Sequence, residues 1–75
     1  MMKLSLYTLG TEFKVARSLD VATMSEATAI VAAHIADSGY AKLRVVDDDE
    51  DIDSRRFVAD PPKGRKGRNV AAIDY

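Results

Sequence analysis

The spacing of apolar residues changes once, and abruptly, in the first half of this chain, and that change limits the fold more than any other feature. Residues 2 to 9 alternate, with Met2, Leu4 and Leu6 against Lys3, Ser5 and Tyr7. Residues 12 to 19 alternate again, with Phe13, Val15 and Leu19 against Glu12, Lys14 and Ser18. A repeat of two is the signature of a half-buried strand. Gly10 and Thr11 mark a turn between the two runs, so they are expected to pair as a hairpin, with Arg17 where the second strand leaves the core. From Thr23 to Ser38 the repeat becomes helical. Met24, Ala27, Ile30, Val31, His34 and Ile35 gather on one stripe at about 100° per residue. Thr23 with Glu26 three residues on fits a capping box, and Gly39 suits the left-handed position after a helix.

Three further strands follow: Leu43 and Val45 alternating with Lys42 and Arg44, then Arg55 to Ala59, then Asn69 to Tyr75. The expected fold is one α+β domain over residues 1–75, a single antiparallel sheet of four to five strands in ββαβββ order with the helix on one face. In the simplest arrangement the first strand lies between the second and third, antiparallel to both, and the last three form a meander. At 75 residues such a chain buries only about 60% of its unfolded surface. Its expected core includes Leu4, Leu6, Phe13, Val15, Ile30, Val31, Ile35, Leu43, Val45, Phe57 and Ile73. The absence of cysteine removes disulfides and thiolate zinc sites, which leaves packing or self-association as sources of extra stability. The segment MMKLSLYTLG has no basic stretch leading into a secretory apolar run, and no run approaches 18 apolar residues. A cytoplasmic protein without membrane contact is expected.

Charge is distributed unevenly. The formal net charge is −1, but this is a cancellation: residues 1–46 carry +1, residues 47–53 carry −6 and residues 54–75 carry +4. The acidic residues Asp47, Asp48, Asp49, Glu50, Asp51 and Asp53 join the third and fourth strands, and the cations Lys63, Arg65, Lys66 and Arg68 sit in the Pro- and Gly-bearing loop that joins the fourth and fifth. In a meander these connections leave opposite ends of the sheet. A six-residue strand spans roughly 20 Å, which exceeds the Debye length of about 8 Å, so each segment keeps its own sign.

Several chemistries are excluded by spacing. Counting an EF-hand loop from Asp47 puts Ile52 where glycine is needed and Val58 where a bidentate glutamate is needed; counting from Asp49 puts Ser54 and Asp60 there. His34 is the only histidine, lies on the apolar stripe, and is expected to be a hydrogen-bonded core residue. No GxxxxGK[ST] phosphate loop is present. No enzyme activity, cofactor or metal is expected.

Binding remains. Asp47, Asp49, Asp51 and Asp53 are all odd-numbered, so an extended segment would present them from one face about 6.8 Å apart. Such a row of anions imitates a nucleic-acid backbone and suits the basic groove of a nucleic-acid-binding protein or ribonucleoprotein complex. The alternative function class uses Lys63, Arg65, Lys66 and Arg68 to contact nucleic acid directly and weakly, since no aromatic is interleaved for stacking. A third is a self-associating structural protein, joined end to end by charge or through the helix face of Ala29, Ala32, Ala33 and Ala36. Helix propensity alone also accounts for that face.

The run GTEFKVARSL leading into TMSEATAIVAAHIA, followed by DDDEDID, resembles the small anti-CRISPR proteins made by phages and mobile elements. The likeness lies in layout and charge and covers most of the chain. That group shares no motif, so it assigns no site residues. Several of its members are non-enzymatic inhibitors that occupy the DNA path of a guide-RNA effector complex, and the resemblance implies a partner of that kind. The basic loop departs from a purely anionic imitation.

Overall fold

The computed structural model describes residues 1–48, 51–63 and 66–74, and of residues 48 and 51–53 the backbone. Five strands and one helix follow in the order β1 (Met2–Tyr7), β2 (Val15–Val21), α1 (Met24–Ile35), β3 (Ala41–Asp48), β4 (Asp51–Asp60) and β5 (Arg68–Asp74). All neighbouring strands are antiparallel, in the order β2-β1-β5-β4-β3. The single sheet with one helix and the ββαβββ order are as the apolar spacing requires. The meander of β3, β4 and β5 forms as expected, but the strand order corrects its placement: β5, not β3, lies beside β1. Composition explains the exchange. β5 brings Val70, Ala71 and Ile73, all fully buried, and takes the centre, whereas β3 carries Lys42, Arg44 and Asp47 and takes an edge where those charges stay hydrated.

The register shows how the faces divide. One cross-strand row reads Leu19, Leu4, Ile73, Arg55, Asp47 and the next reads Arg17, Leu6, Ala71, Phe57, Val45. In both rows the central residues are buried and the outer ones are not. The opposite face carries rows such as Asp20, Lys3, Asp74, Ser54, a solvated side of the kind antiparallel sheets permit.

Over the buried side α1 lays Ala27, Val31 and Ile35, with Met24, Ile30 and His34 half-buried beside them, which is the stripe read from the sequence. It packs on β1, β2 and β5. A helix is about 10–12 Å wide and strands lie about 4.8 Å apart, so one helix covers roughly half of a five-stranded face. The uncovered outer positions correct the expected core: Phe13, Val15 and Val45 are 56%, 51% and 40% exposed, while Val21, Ala59, Val70 and Ala71 are buried in their stead. Full burial of Phe57, Leu4, Ile73, Val21, Val31 and Val70 contributes about 1.5–3 kcal/mol each.

Both helix ends are closed by side chains or backbone turns. The Thr23 hydroxyl accepts from the Glu26 amide at 3.1 Å, and after Ile35 the chain turns through Asp37 and Gly39, both at positive φ. Gly39, at φ +87°, also leaves room for Pro62, whose Cβ would stand 2.9 Å from any Cβ placed there. The loop after β4 is thus packed on the turn after α1. Among the described residues no helix is long and apolar enough to cross a membrane.

Candidate functional site

The acidic segment is strand for more of its length than its composition suggests. β3 runs to Asp48 and β4 starts at Asp51, with Asp48 opposite Asp51 and Asp47 opposite Arg55. Asp49 and Glu50 lie outside the described residues. The described part of β5 ends at Asp74, opposite Ser54, so β4 continues past it through Asp53, Ile52 and Asp51. The acidic end of the β3–β4 ribbon thus extends past the last described pair with β5, where the Asp48–Asp51 pair joins its two strands. β3 and β4 are antiparallel, with a register shift between Asp47 and Asp48, so Asp47 and Asp53 stand on different strands. Of the expected row, Asp47 thus lies on β3 and Asp51 and Asp53 on β4, and Asp49 lies outside the described residues.

Asp47 is ion-paired, with Arg55 Nε 2.7 Å from its Oδ1. Both groups are substantially exposed, 71% for Asp47 and 40% for Arg55, so the pair contributes at most about 1 kcal/mol. It still lowers the local negative charge by one. The amino terminus of α1 lies at this same end, since β2 and β3 run in one direction, and its partial positive charge eases carboxylate repulsion by a few tenths of a kcal/mol.

The basic segment lies at the other end of β4, a ten-residue strand about 33 Å long at 3.3 Å per residue, in a molecule whose longest extent is 34 Å. Lys63 and Lys66 are exposed, and Arg65 lies outside the described residues. Arg68 is different. It begins β5, and its guanidinium donates to the carbonyls of Thr8 (2.9 Å), Leu9 (3.1 Å) and Glu12 (3.3 Å) and to the Tyr40 hydroxyl (3.2 Å). This reassigns Arg68 from loop cation to the clasp of the β1–β2 connection. At the foot of the basic loop Arg44 pairs with Asp60 at 3.2 Å, and a Cβ on Gly67 would overlap the Arg44 guanidinium and a Val58 methyl. Asp47, whose side chain is the one described in the acidic segment, pairs with Arg55 and not with Lys63, Lys66 or Arg68.

Sequence reasoning missed an aromatic group at the basic end. Phe13, expected in the core, sits on the 8–14 connection with its ring centroid 4.8 Å from that of Tyr7 and the Arg68 guanidinium carbon 5.6 Å above it. Nothing local in the sequence links residue 13 to residue 68; only the pairing of β5 with β1 does. His34 is hydrogen-bonded as expected, but half-buried at the edge of the core and not within it. Its Nε2 lies 2.7 Å from the Tyr7 carbonyl, and because a carbonyl can only accept, Nε2 carries the proton. This bond falls where the β1–β2 register shifts, between Leu6 and Tyr7.

Among the described residues, two grooves flank α1. One, about 550 Å³, runs between the Ala29 and Ala32 side of the helix and Val45 with Arg55 on the sheet. The other, about 510 Å³, is lined by Leu6, Ala16, Arg17, Ile30, Ala33 and His34. Among the described residues no three His, Asp or Glu side chains converge to hold a metal. In comparisons by sequence and by structure, no family model, no curated protein and no solved structure matches the chain.

Proposed function

We propose that this chain is a non-enzymatic inhibitor that presents its acidic β3–β4 ribbon to a basic surface of a nucleic-acid-binding protein or ribonucleoprotein complex and competes there with nucleic acid, as the resemblance to anti-CRISPR proteins implies. The observation that supports this reading is the projection of the ribbon beyond the Ser54–Asp74 pair, at the opposite end of β4 from Lys63 and Lys66. That separation of roughly 30 Å is several Debye lengths, so the tip attracts a cationic groove without interference from the basic loop. Carboxylates divided between two antiparallel strands also resemble a duplex edge more closely than a single row does. Charge supplies steering and register, while apolar contacts beside it supply selectivity.

A second reading is favoured by one observation. Phe13 stands 56% exposed beside Arg68 at the end that carries Lys63 and Lys66, and an exposed ring next to cations is what single-stranded nucleic acid stacks on. In this reading the basic end touches nucleic acid directly.

One experiment addresses both. From nuclease-treated lysate, the wild-type chain is expected to capture a nucleic-acid-binding protein that added duplex DNA releases, and the variant with Asp47, Asp49, Asp51 and Asp53 changed to Asn is expected to lose it. Arg68 is left untouched because of its structural bonds; Lys63, Arg65 and Lys66 are changed to Ala in a third arm, together with Phe13→Ala. Capture that survives the Asn changes overturns the ribbon reading. Oligonucleotide binding by the purified chain, lost in the third arm alone, establishes the second.

A further inference from the structure

The two grooves beside α1 differ in one respect that matters chemically. In the groove against β3 the only cation is Arg55, which is already bonded to Asp47. In the groove against β2 the cation is Arg17, and no carboxylate or carbonyl among the described residues accepts from it. Arg17 belongs to the helix-facing row with Leu6 and Ala71, at the point where the β1–β2 register shifts and Ala16 is left without an opposite residue. Its guanidinium therefore stands at the rim of walls made by Leu6, Ala16, Ile30 and Ala33. His34 closes one end, fixed by its bond to the Tyr7 carbonyl. At about 510 Å³ the space falls within the usual range of small-ligand sites, about 300–1,000 Å³.

We propose that this groove binds a small amphipathic carboxylate, its headgroup on the Arg17 guanidinium and its short apolar body between Ile30 and Leu6. An anionic headgroup is required because the one uncompensated charge in the groove is positive, and a planar guanidinium meets a carboxylate through two parallel bonds. The body is apolar because every other lining residue except His34 offers carbon to it. The site is separate from the acidic ribbon: Arg17 is on the opposite edge strand from Asp47.

The test is a titration of the ¹⁵N,¹³C-labelled full chain with hexanoate, with hexanol and hexylamine as probes of the same tail. Hexanoate is expected to shift the signals of Leu6, Ala16, Ile30 and Ala33 in a saturable way, and to bind at least about fivefold more tightly than hexanol, in keeping with a charge-assisted bond. Arg17→Gln, with its amide spectrum and melting point checked for intact folding, is expected to remove that preference, and Arg17→Lys to retain part of it. Three outcomes overturn the proposal. They are equal binding of hexanoate and hexanol, shifts confined to residues outside the groove, or a concentration-dependent wild-type mass that Arg17→Gln abolishes, which would give the groove to a second copy of the chain.

Discussion

Arg68 ties together three parts of the chain that are far apart in sequence: the 8–12 connection, Tyr40 after the helix, and β5. Four acceptors converge on one guanidinium, and three of them are main-chain carbonyls, of which those of Leu9 and Glu12 also accept from the Tyr40 and Thr8 hydroxyls. Arg68→Met keeps the length and apolar body of the side chain but removes these charge-assisted bonds, and is expected to cost about 2–4 kcal/mol in urea unfolding, at roughly 1 kcal/mol or less for each lost bond whose acceptor keeps a second donor. Arg68→Lys is expected to recover less than half of this, because an ammonium group cannot reach both ends of the fan. In the sequence Arg68 is indistinguishable from its neighbours in KGRKGR. Its separate task follows from the strand that begins there, which places it inward while Lys66, two residues earlier, stays exposed.

Among the elements, α1 and the β1–β2 hairpin were legible from residue spacing, because each is set by contacts within about twenty residues and a clear repeat. The cap at Thr23 and the left-handed Gly39 were legible for the same reason. Gly39→Ala is expected to destabilise the protein by about 1–3 kcal/mol in thermal or urea unfolding, from the positive φ and the overlap with Pro62 together; Thr11, in the turn between β1 and β2, serves as a control position for an alanine substitution without that effect. The ribbon was harder to read. Six acidic residues in seven positions suppress every strand signal, so β3 and β4 looked shorter than their eight and ten residues, and the ladder that holds them comes from β4 pairing with β3 on one side and β5 on the other. The central place of β5 was not legible at all, since strand order depends on which apolar faces can be buried together across the whole molecule. The misplacement of Phe13, Val15 and Val45 has the same origin: alternation shows which side a residue faces, but not whether the helix reaches that far.

For the whole molecule, the two outer strands decide whether copies of the sheet join edge to edge. Both are irregular. β2 shifts register beside Ala16, and β3 shifts between Ala41 and Arg44 with Lys42 at φ 56°. Bulges and inward or edge charges are the usual means by which exposed strands avoid pairing with another copy. Arg17→Val removes the inward charge from an edge that already exposes Val15 and is expected to produce concentration-dependent association in light scattering, whereas Arg17→Lys is expected to behave as wild type. The position of β5 has a different consequence. Leu4 faces Ile73 and Phe57 faces Ala71, so the two local hairpins, β1–β2 and β3–β4, share no ladder until the strand between them arrives. During synthesis a ribosome must release residues 68–74 from its exit tunnel before either half gains its inner neighbour. Until then the nascent chain offers two sticky β-pairs with bare inner edges, and chaperone capture is expected to end abruptly when that last stretch emerges.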